Sequence, residues 1–267
     1  MGEVKLYRNI NELLHPAISK KNISNYTIII DEDILPVQVY YPKKVSHIEK
    51  VMIFIHGSST ITDCNYMDIY KLFAKNTDSL VIAVEYNDVN YKKMYKDIFK
   101  TVSFIHKGLV RNNIDPNNIT LIGDSTGCNI ITGINYLNKK EIDIKKEVLF
   151  YPVISLDYEK AKYDSMIKNK DFNLGILTKL RSYYEKIEYK SDKLLKPLEL
   201  KEYNDIPKTL IVVGKVDSLR DEAKEYYDKL NSSSEYKELE FLAHGFLKKM
   251  DKEVEKEVFQ EINDFLK

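Results

Sequence analysis

The chain has 267 residues, of which 43% are hydrophobic, enough for one large domain with a substantial core. Its 41 basic and 41 acidic side chains cancel, so the composition gives no electrostatic case for nucleic acid or an anionic membrane as the main partner. The charged N-terminus, the lack of any apolar run near about 18 residues and the two cysteines outside metal-like spacing predict a cytoplasmic protein with no export signal, membrane span, disulfide framework or metal.

Short β-like runs recur along the chain and alternate with helical patterns. The predicted strands are residues 24–30, 34–41, 51–57, 79–86, 118–125, 147–154, 208–214 and 236–242. Several of these runs are almost continuously apolar, which is typical of parallel strands covered on both faces. Apolar residues at helical spacing predict helices over 91–109 and 254–266. The alternation indicates an α/β protein with a mainly parallel sheet.

One long segment breaks this alternation. Residues 157–207 contain no convincing strand, only polar, tyrosine-rich sequence of helical character such as LTKLRSYYEKIEY at 177–189. About fifty residues between two sheet strands is far longer than an ordinary connection. We therefore predict a small helical cap at 157–207, inserted after the strand at 147–154 and lying over the carboxyl edge of the sheet. Residues 1–156 and 208–267 then form the core domain.

The sequence LIGDSTGCNI at 121–130 carries the most specific chemical signal. An apolar strand runs into Gly123-Asp124-Ser125-Thr126-Gly127, and a helical pattern follows. This spacing matches the nucleophile elbow G-x-S-x-G, in which a serine on a sharp turn presents its hydroxyl above the sheet. The following helix directs its N-terminus at the serine and favours the negative charge that develops there. Ser125 is therefore the candidate nucleophile.

A serine nucleophile needs a base and an acid that orients the base. In proteins with this elbow the chain order is serine, acid, histidine. Of the five histidines only His244 follows Ser125, on a predicted loop after the last strand. Asp217 directly follows the apolar run at 208–214, whereas Asp221 and Glu222 fall within the next helical pattern. We predict His244 as the base and Asp217 as the acid.

An oxyanion hole is expected from the early sequence FIHGSST at 54–60, where a strand ends and backbone amides can turn towards the serine. The predicted oxyanion and substrate-binding residues are Gly57, Ser58, Ser59 and Thr126. His56 is interpreted as a structural residue that shapes this loop by hydrogen bonds.

These motifs together resemble the hormone-sensitive-lipase-like branch of the α/β-hydrolases, with bacterial carboxylesterases and arylacetamide-deacetylase-like enzymes. The family's H-G-G-G is represented by HGSS at 56–59 and its G-D-S-A-G-G by GDSTGC at 123–128. Its D-P-L-R-D-E is represented by DSLRDE at 217–222, its H-G-F by 244–246, and its strand after the elbow by YPVIS at 151–155. The resemblance implies an α/β-hydrolase fold, a cap over the carboxyl edge of the sheet, and no cofactor.

The chain departs from that family in three ways. Ser58 and Ser59 replace two glycines of the oxyanion loop, NDVNYKK at 87–93 lacks the proline-rich family segment, and the N-terminal part of the cap is short. The hypothesis is a serine carboxylesterase acting on small, short-acyl esters. An amide hydrolase, deacetylase or peptidase with the same triad, and a non-catalytic binding protein, stay open as alternatives. The expected partner is a small-molecule ester, and a homodimer is left open.

Overall fold

The structure is a computed structural model of the chain. It describes residues 4–6, 10, 14, 26–29, 35–43, 47–57, 66–86, 91–155, 165, 178, 182 and 193–267.

The described residues form one nine-stranded sheet in the order β1-β2-β3-β5-β4-β6-β7-β8-β9. The six neighbouring strands β5, β4, β6, β7, β8 and β9 are all parallel to one another. Strand β3 is antiparallel to both β2 and β5, and β1 is parallel to β2. The strands are β1 (Val4–Leu6), β2 (Tyr26–Ile29), β3 (Val37–Tyr40), β4 (Val51–Ile55), β5 (Leu80–Val84), β6 (Ile119–Asp124), β7 (Lys146–Phe150), β8 (Lys208–Gly214) and β9 (Glu235–Leu239).

Helices cover both faces of the sheet. In the described parts of the chain they are α1 (Met67–Thr77), α2 (Tyr91–Arg111), α3 (Thr126–Asn138), α4 (Arg220–Tyr227) and α5 (Lys252–Leu266). Apolar side chains of α2, α3 and α4 pack in one core cluster, and those of α1 and α5 pack in the other. No helix within these ranges has the length and apolar character that a bilayer crossing requires.

Strand β4 shows why its sequence is continuously apolar. Ile53 and Ile55 belong to the cluster under α2 and α3, while Met52 and Phe54 belong to the cluster under α1 and α5. Because successive side chains of a strand point to opposite faces, a strand covered on both sides must be apolar at every position. The mainly parallel α/β architecture expected from these runs is confirmed.

Two strand ends and one whole strand show the clearest differences from the expectation. The predicted strand at 147–154 ends at Phe150, because Tyr151 has a φ of 36° and turns the chain out of the sheet. The predicted strand at 236–242 ends at Leu239, shortly before Phe241, whose φ is 56°. Strand β1 was not predicted, because its three residues are too few to show a period.

The predicted cap lies largely outside the described residues, so its helical character stays a prediction. Its last part is described and contains two short 3₁₀ turns, Lys193–Leu195 and Pro197–Glu199. Leu194 and Leu195 are buried in the core cluster that also contains the apolar face of α3. This part of the insertion therefore packs against the core domain before the chain enters β8.

A buried acid in β7 leads to a stability prediction. The Glu147 side chain is fully buried, and its carboxylate accepts hydrogen bonds from Asn135 Nδ2 and Thr209 Oγ1, both at 2.9 Å. Burial raises the pKa of Glu147 from its ordinary 4.5 to about 7, although these two hydrogen bonds lower it. Between those two pH values the folded chain holds a proton that the unfolded chain has lost, so stability falls as the pH rises through this window.

Glu147→Gln should therefore raise the free energy of unfolding at pH 8 by roughly 1–3 kcal/mol, because the neutral amide avoids burying a charge. The Asn135 amide can turn its oxygen towards the new amide group and keep that hydrogen bond. Urea unfolding of both proteins at pH 5 and pH 8 measures the effect. The advantage of the variant should shrink towards pH 5, and an advantage independent of pH would contradict the assignment.

Candidate active site

A single residue, Ser125, separates β6 from α3. Its φ of 52° and ψ of −122° lie in a region that non-glycine residues rarely adopt, at a cost of order 1–3 kcal/mol. The surrounding backbone holds this conformation: Ser125 N–H donates to Phe150 O at 3.0 Å, and Ser125 O accepts from Val153 N–H at 3.1 Å. The sharp strand–serine–helix turn expected from the sequence is therefore present.

The two glycines that flank the serine are required by close packing. A Cβ atom on Gly127 would lie 2.2 Å from the carbonyl oxygen of Ile55, because the first turn of α3 rests directly on the end of β4. A Cβ atom on Gly123 would lie 2.6 Å from Ile131 Cδ1 and 3.1 Å from Cys128 N. A larger residue at either position would separate the strand from the helix, so the spacing of the motif follows from contact distance.

The three residues predicted as nucleophile, base and acid lie in one hydrogen-bonded line. Ser125 Oγ is 2.9 Å from His244 Nε2, and His244 Nδ1 is 3.0 Å from Asp217 Oδ2. The side chains of His244 and Asp217 are 2% and 0% exposed, so little water competes for their hydrogen bond. The acid keeps the proton of the neutral imidazole on Nδ1, which leaves the lone pair of Nε2 facing the Ser125 hydroxyl.

The loop after β8 positions Asp217 for this contact. Asp217 N–H donates to Gly214 O at 3.0 Å, and Asp217 Oδ1 accepts from Leu219 N–H at 2.8 Å. One carboxylate oxygen thus fixes the turn while the other faces His244.

The two neighbouring acids serve other contacts. The Asp221 carboxylate accepts from the Arg220 guanidinium and from Ser165 N–H, and Glu222 Oε1 accepts from the amides of Ile154 and Ser155. Both acids lie in the first turn of α4, as the helical pattern of the sequence indicated. Of the three candidate acids, Asp217 is the one in contact with His244.

His244 lies on the loop between β9 and α5 and is oriented by an aromatic neighbour that sequence reasoning missed. The Tyr151 ring packs edge-on to the imidazole, with 5.0 Å between ring centroids, and Phe246 packs on the same tyrosine at 4.9 Å. Tyr151 is fully buried. The sequence YPVIS at 151–155 marked this segment, but only the turn at the end of β7 brings its tyrosine to the histidine.

The structure describes part of the predicted oxyanion side. Gly57 N–H donates to Asp124 Oδ1 at 2.8 Å, so this amide fixes the start of the loop. Thr126 is buried and is the first residue of α3, which places it at the positive end of the helix dipole next to Ser125. Ser58 and Ser59 lie outside the described residues, and their part in the hole stays a prediction.

His56 has the structural surroundings expected for it. Its Nδ1 lies 2.7 Å from Gly57 O, where it donates to the carbonyl, and its ring stacks on Tyr86 with 4.4 Å between centroids. The Tyr86 hydroxyl donates to His56 O. These contacts hold the end of β4 beside the elbow.

Comparison with known proteins agrees with this geometry. Residues 52–248 match the family described as alpha/beta hydrolase fold. A protein of Acanthamoeba polyphaga mimivirus named as an alpha/beta hydrolase, R526, is 23% identical over 84% of this chain and 68% of that protein. Arylacetamide deacetylase of Oryctolagus cuniculus is 22% identical over 69% of this chain, which spans about half (49%) of the rabbit protein.

Solved structures give the same fold. A thermostable esterase from Pseudomonas putida ECU1011 superimposes with a TM-score of 0.74 at 17% identity, covering 87% of this chain and 79% of that one. The motif resemblance to the hormone-sensitive-lipase-like branch is supported by these matches. Since the family match spans well over half of the residues, and the sheet and elbow have the geometry that the motifs require, the chain belongs to the alpha/beta hydrolase family.

Proposed function

We propose that the chain is a serine carboxylesterase that hydrolyses small esters through an acyl-enzyme intermediate. The observation that carries this proposal is the continuous line from Ser125 Oγ through His244 to Asp217, with distances of 2.9 Å and 3.0 Å. A serine hydroxyl is barely ionised at neutral pH and becomes nucleophilic only when a base takes its proton. His244 is in position to do so.

The chemistry proceeds in two halves. Ser125 Oγ attacks the ester carbonyl while His244 Nε2 takes the hydroxyl proton, and the same nitrogen then protonates the departing alcohol. A water molecule, deprotonated by His244, attacks the acyl-enzyme and releases the carboxylic acid, and the proton returns to Ser125. Asp217 stays ionised throughout and stabilises the imidazolium that forms in each half.

The oxyanion of the tetrahedral intermediate needs backbone donors near Ser125. Thr126 N–H at the start of α3 is one candidate, since the helix N-terminus favours negative charge there. The amides of Ser58 and Ser59 are the others that we propose from the motif. The Gly57 amide donates to Asp124, and we propose that this hydrogen bond fixes the start of the loop that carries Ser58 and Ser59.

The proposed substrates have short acyl chains, acetyl to about hexanoyl. The insertion at 157–207 is short and polar in sequence and offers no long apolar run to line an acyl groove. Without such a groove, each added methylene gains little of the roughly 0.8 kcal/mol that full burial would give it. The alternative is an amide hydrolase with the same triad, which the similarity to arylacetamide deacetylases supports.

A series of p-nitrophenyl esters from acetate to palmitate tests the proposed acyl-chain preference. The amide 4-nitroacetanilide, assayed beside them, tests the amide hydrolase alternative. We expect kcat/KM to be highest between acetate and hexanoate and to fall at least about tenfold by laurate, equivalent to ~1.4 kcal/mol. The Ser125→Ala variant is the control for background hydrolysis. Faster turnover of long-chain than of short-chain esters would overturn the substrate class, and a higher kcat/KM for the anilide would favour the amide hydrolase.

A further inference from the structure

The residue before the nucleophile, Asp124, is a buried acid that takes no part in the proton transfers and bond changes of the proposed reaction. It ends β6 and is 0% exposed. A carboxylate removed from water is costly unless hydrogen bonds replace its hydration. The partners of Asp124 therefore indicate what it is for.

Among the residues that the structure describes, three groups donate to the Asp124 carboxylate. Oδ1 accepts from Gly57 N–H at 2.8 Å, and Oδ2 accepts from the hydroxyls of Tyr66 at 3.0 Å and Tyr151 at 3.3 Å. Gly57 follows β4 and Tyr66 directly precedes α1, so two of the donors flank residues 58–65 at either end. The third donor, Tyr151, is the ring that packs on His244.

The electrostatics of this cluster suit a carboxylate that accepts from all three groups. Burial raises the pKa of Asp124, and the Gly57 amide, the Tyr66 hydroxyl and the positive charge of Lys248 act in the opposite direction. The Lys248 ammonium lies 5.6 Å from the centre of the Tyr66 ring. Burial also raises the pKa of Tyr151 well above its ordinary value, so its hydroxyl keeps the proton that it donates.

We propose that Asp124 is a positioning residue for acyl transfer, whose two oxygens fix both flanks of the 58–65 segment and, through Tyr151, the base. This inference rests on the proposed esterase function. Amide donors stabilise an oxyanion only when they point at the position that the oxygen takes in the transition state, within about 0.5 Å. Asp124 is the residue next to the nucleophile, so hydrogen bonds from both flanks of the segment to Asp124 would hold the proposed oxyanion donors at a fixed position relative to Ser125.

Tyr66→Phe removes the Oδ2 contact at the second flank and leaves the aromatic ring in place. We expect kcat for p-nitrophenyl butyrate to fall about tenfold, KM to change less than about threefold, and the inhibition constant of a trifluoromethyl ketone to rise in proportion to the loss of kcat. Asp124→Ala removes all three contacts and should lower kcat about a hundredfold. A merely destabilised protein would lose active fraction, but its inhibition constant would not change.

Tyr70→Phe is the matched control, since Tyr70 is buried one turn further along α1 and is not among the three donors to Asp124. It should keep kcat within about twofold. Equal losses in Tyr66→Phe and Tyr70→Phe, or an unchanged inhibition constant in Tyr66→Phe, would overturn the positioning role. If Asp124→Ala does not fold, kcat and the inhibition constant of Tyr66→Phe and Tyr70→Phe still test the positioning role. A wild-type chain inactive on every ester would instead overturn the esterase function, and this role with it.

Discussion

Ser125→Ala is expected to lower kcat for p-nitrophenyl butyrate by about 10⁵-fold or more while the protein stays folded. The hydroxyl 2.9 Å from His244 Nε2 is the group that would form the acyl bond. The variant should stay folded, because alanine keeps the Cβ atom of serine and adds no atom to the packed turn. Initial rates under saturating substrate, with thermal unfolding of both proteins, measure the effect.

Ser79→Ala provides the matched control for Ser125→Ala. Ser79 is fully buried, and its hydroxyl donates to Thr77 O just before β5, at the opposite end of that strand from the carboxyl edge. Its loss should leave kcat within about twofold. Retention of more than one hundredth of wild-type kcat in Ser125→Ala would remove Ser125 from the reaction.

Asp217→Asn should lower kcat about 10⁴-fold with little change in KM. The substituted side chain keeps an oxygen for Leu219 N–H but turns an amide group towards His244 Nδ1, so that nitrogen must accept. The imidazole proton then moves to Nε2, which can no longer take the proton of Ser125. The loss should therefore appear in kcat at every pH at which the enzyme is assayed.

Asp221→Asn separates this effect from the loss of any nearby charge. Asp221 lies four residues further on, and its carboxylate bonds to Arg220 and Ser165. We expect kcat to fall less than about tenfold in this variant. Similar losses of kcat in Asp217→Asn and Asp221→Asn would show that these acids act through the overall negative charge of the segment. That result would contradict a specific role for Asp217.

The contacts that join Ser125, His244 and Asp217 could be predicted from the sequence, because each of the three residues is marked by chain order. Ser125 lies between glycines that contact distance requires, and His244 is the one histidine after it. Asp217 could be separated from Asp221 because an apolar strand ends just before it, while Asp221 continues into a helical pattern. The central strands could also be predicted, because a strand that is buried on both faces has a continuous run of apolar residues.

Other features depend on contacts between distant segments and have no local signal. Tyr66 and Tyr151 look like ordinary core aromatics in the sequence, and only the fold brings their hydroxyls to Asp124. The ends of β7 and β9 were placed too far along the chain, because the residues that turn out of the sheet at Tyr151 and Phe241 are themselves apolar. Apolar character alone cannot distinguish a strand from a buried turn.

The most direct test of the serine hydrolase mechanism is the site of covalent labelling by a fluorophosphonate. Intact-mass measurement of the wild-type chain should show a single adduct that forms in minutes, and peptide mapping should locate it on Ser125. The same treatment should leave Ser125→Ala unlabelled and should label Ser79→Ala as fully as the wild type. An adduct on any other residue, or one that persists in Ser125→Ala, would contradict Ser125 as the nucleophile.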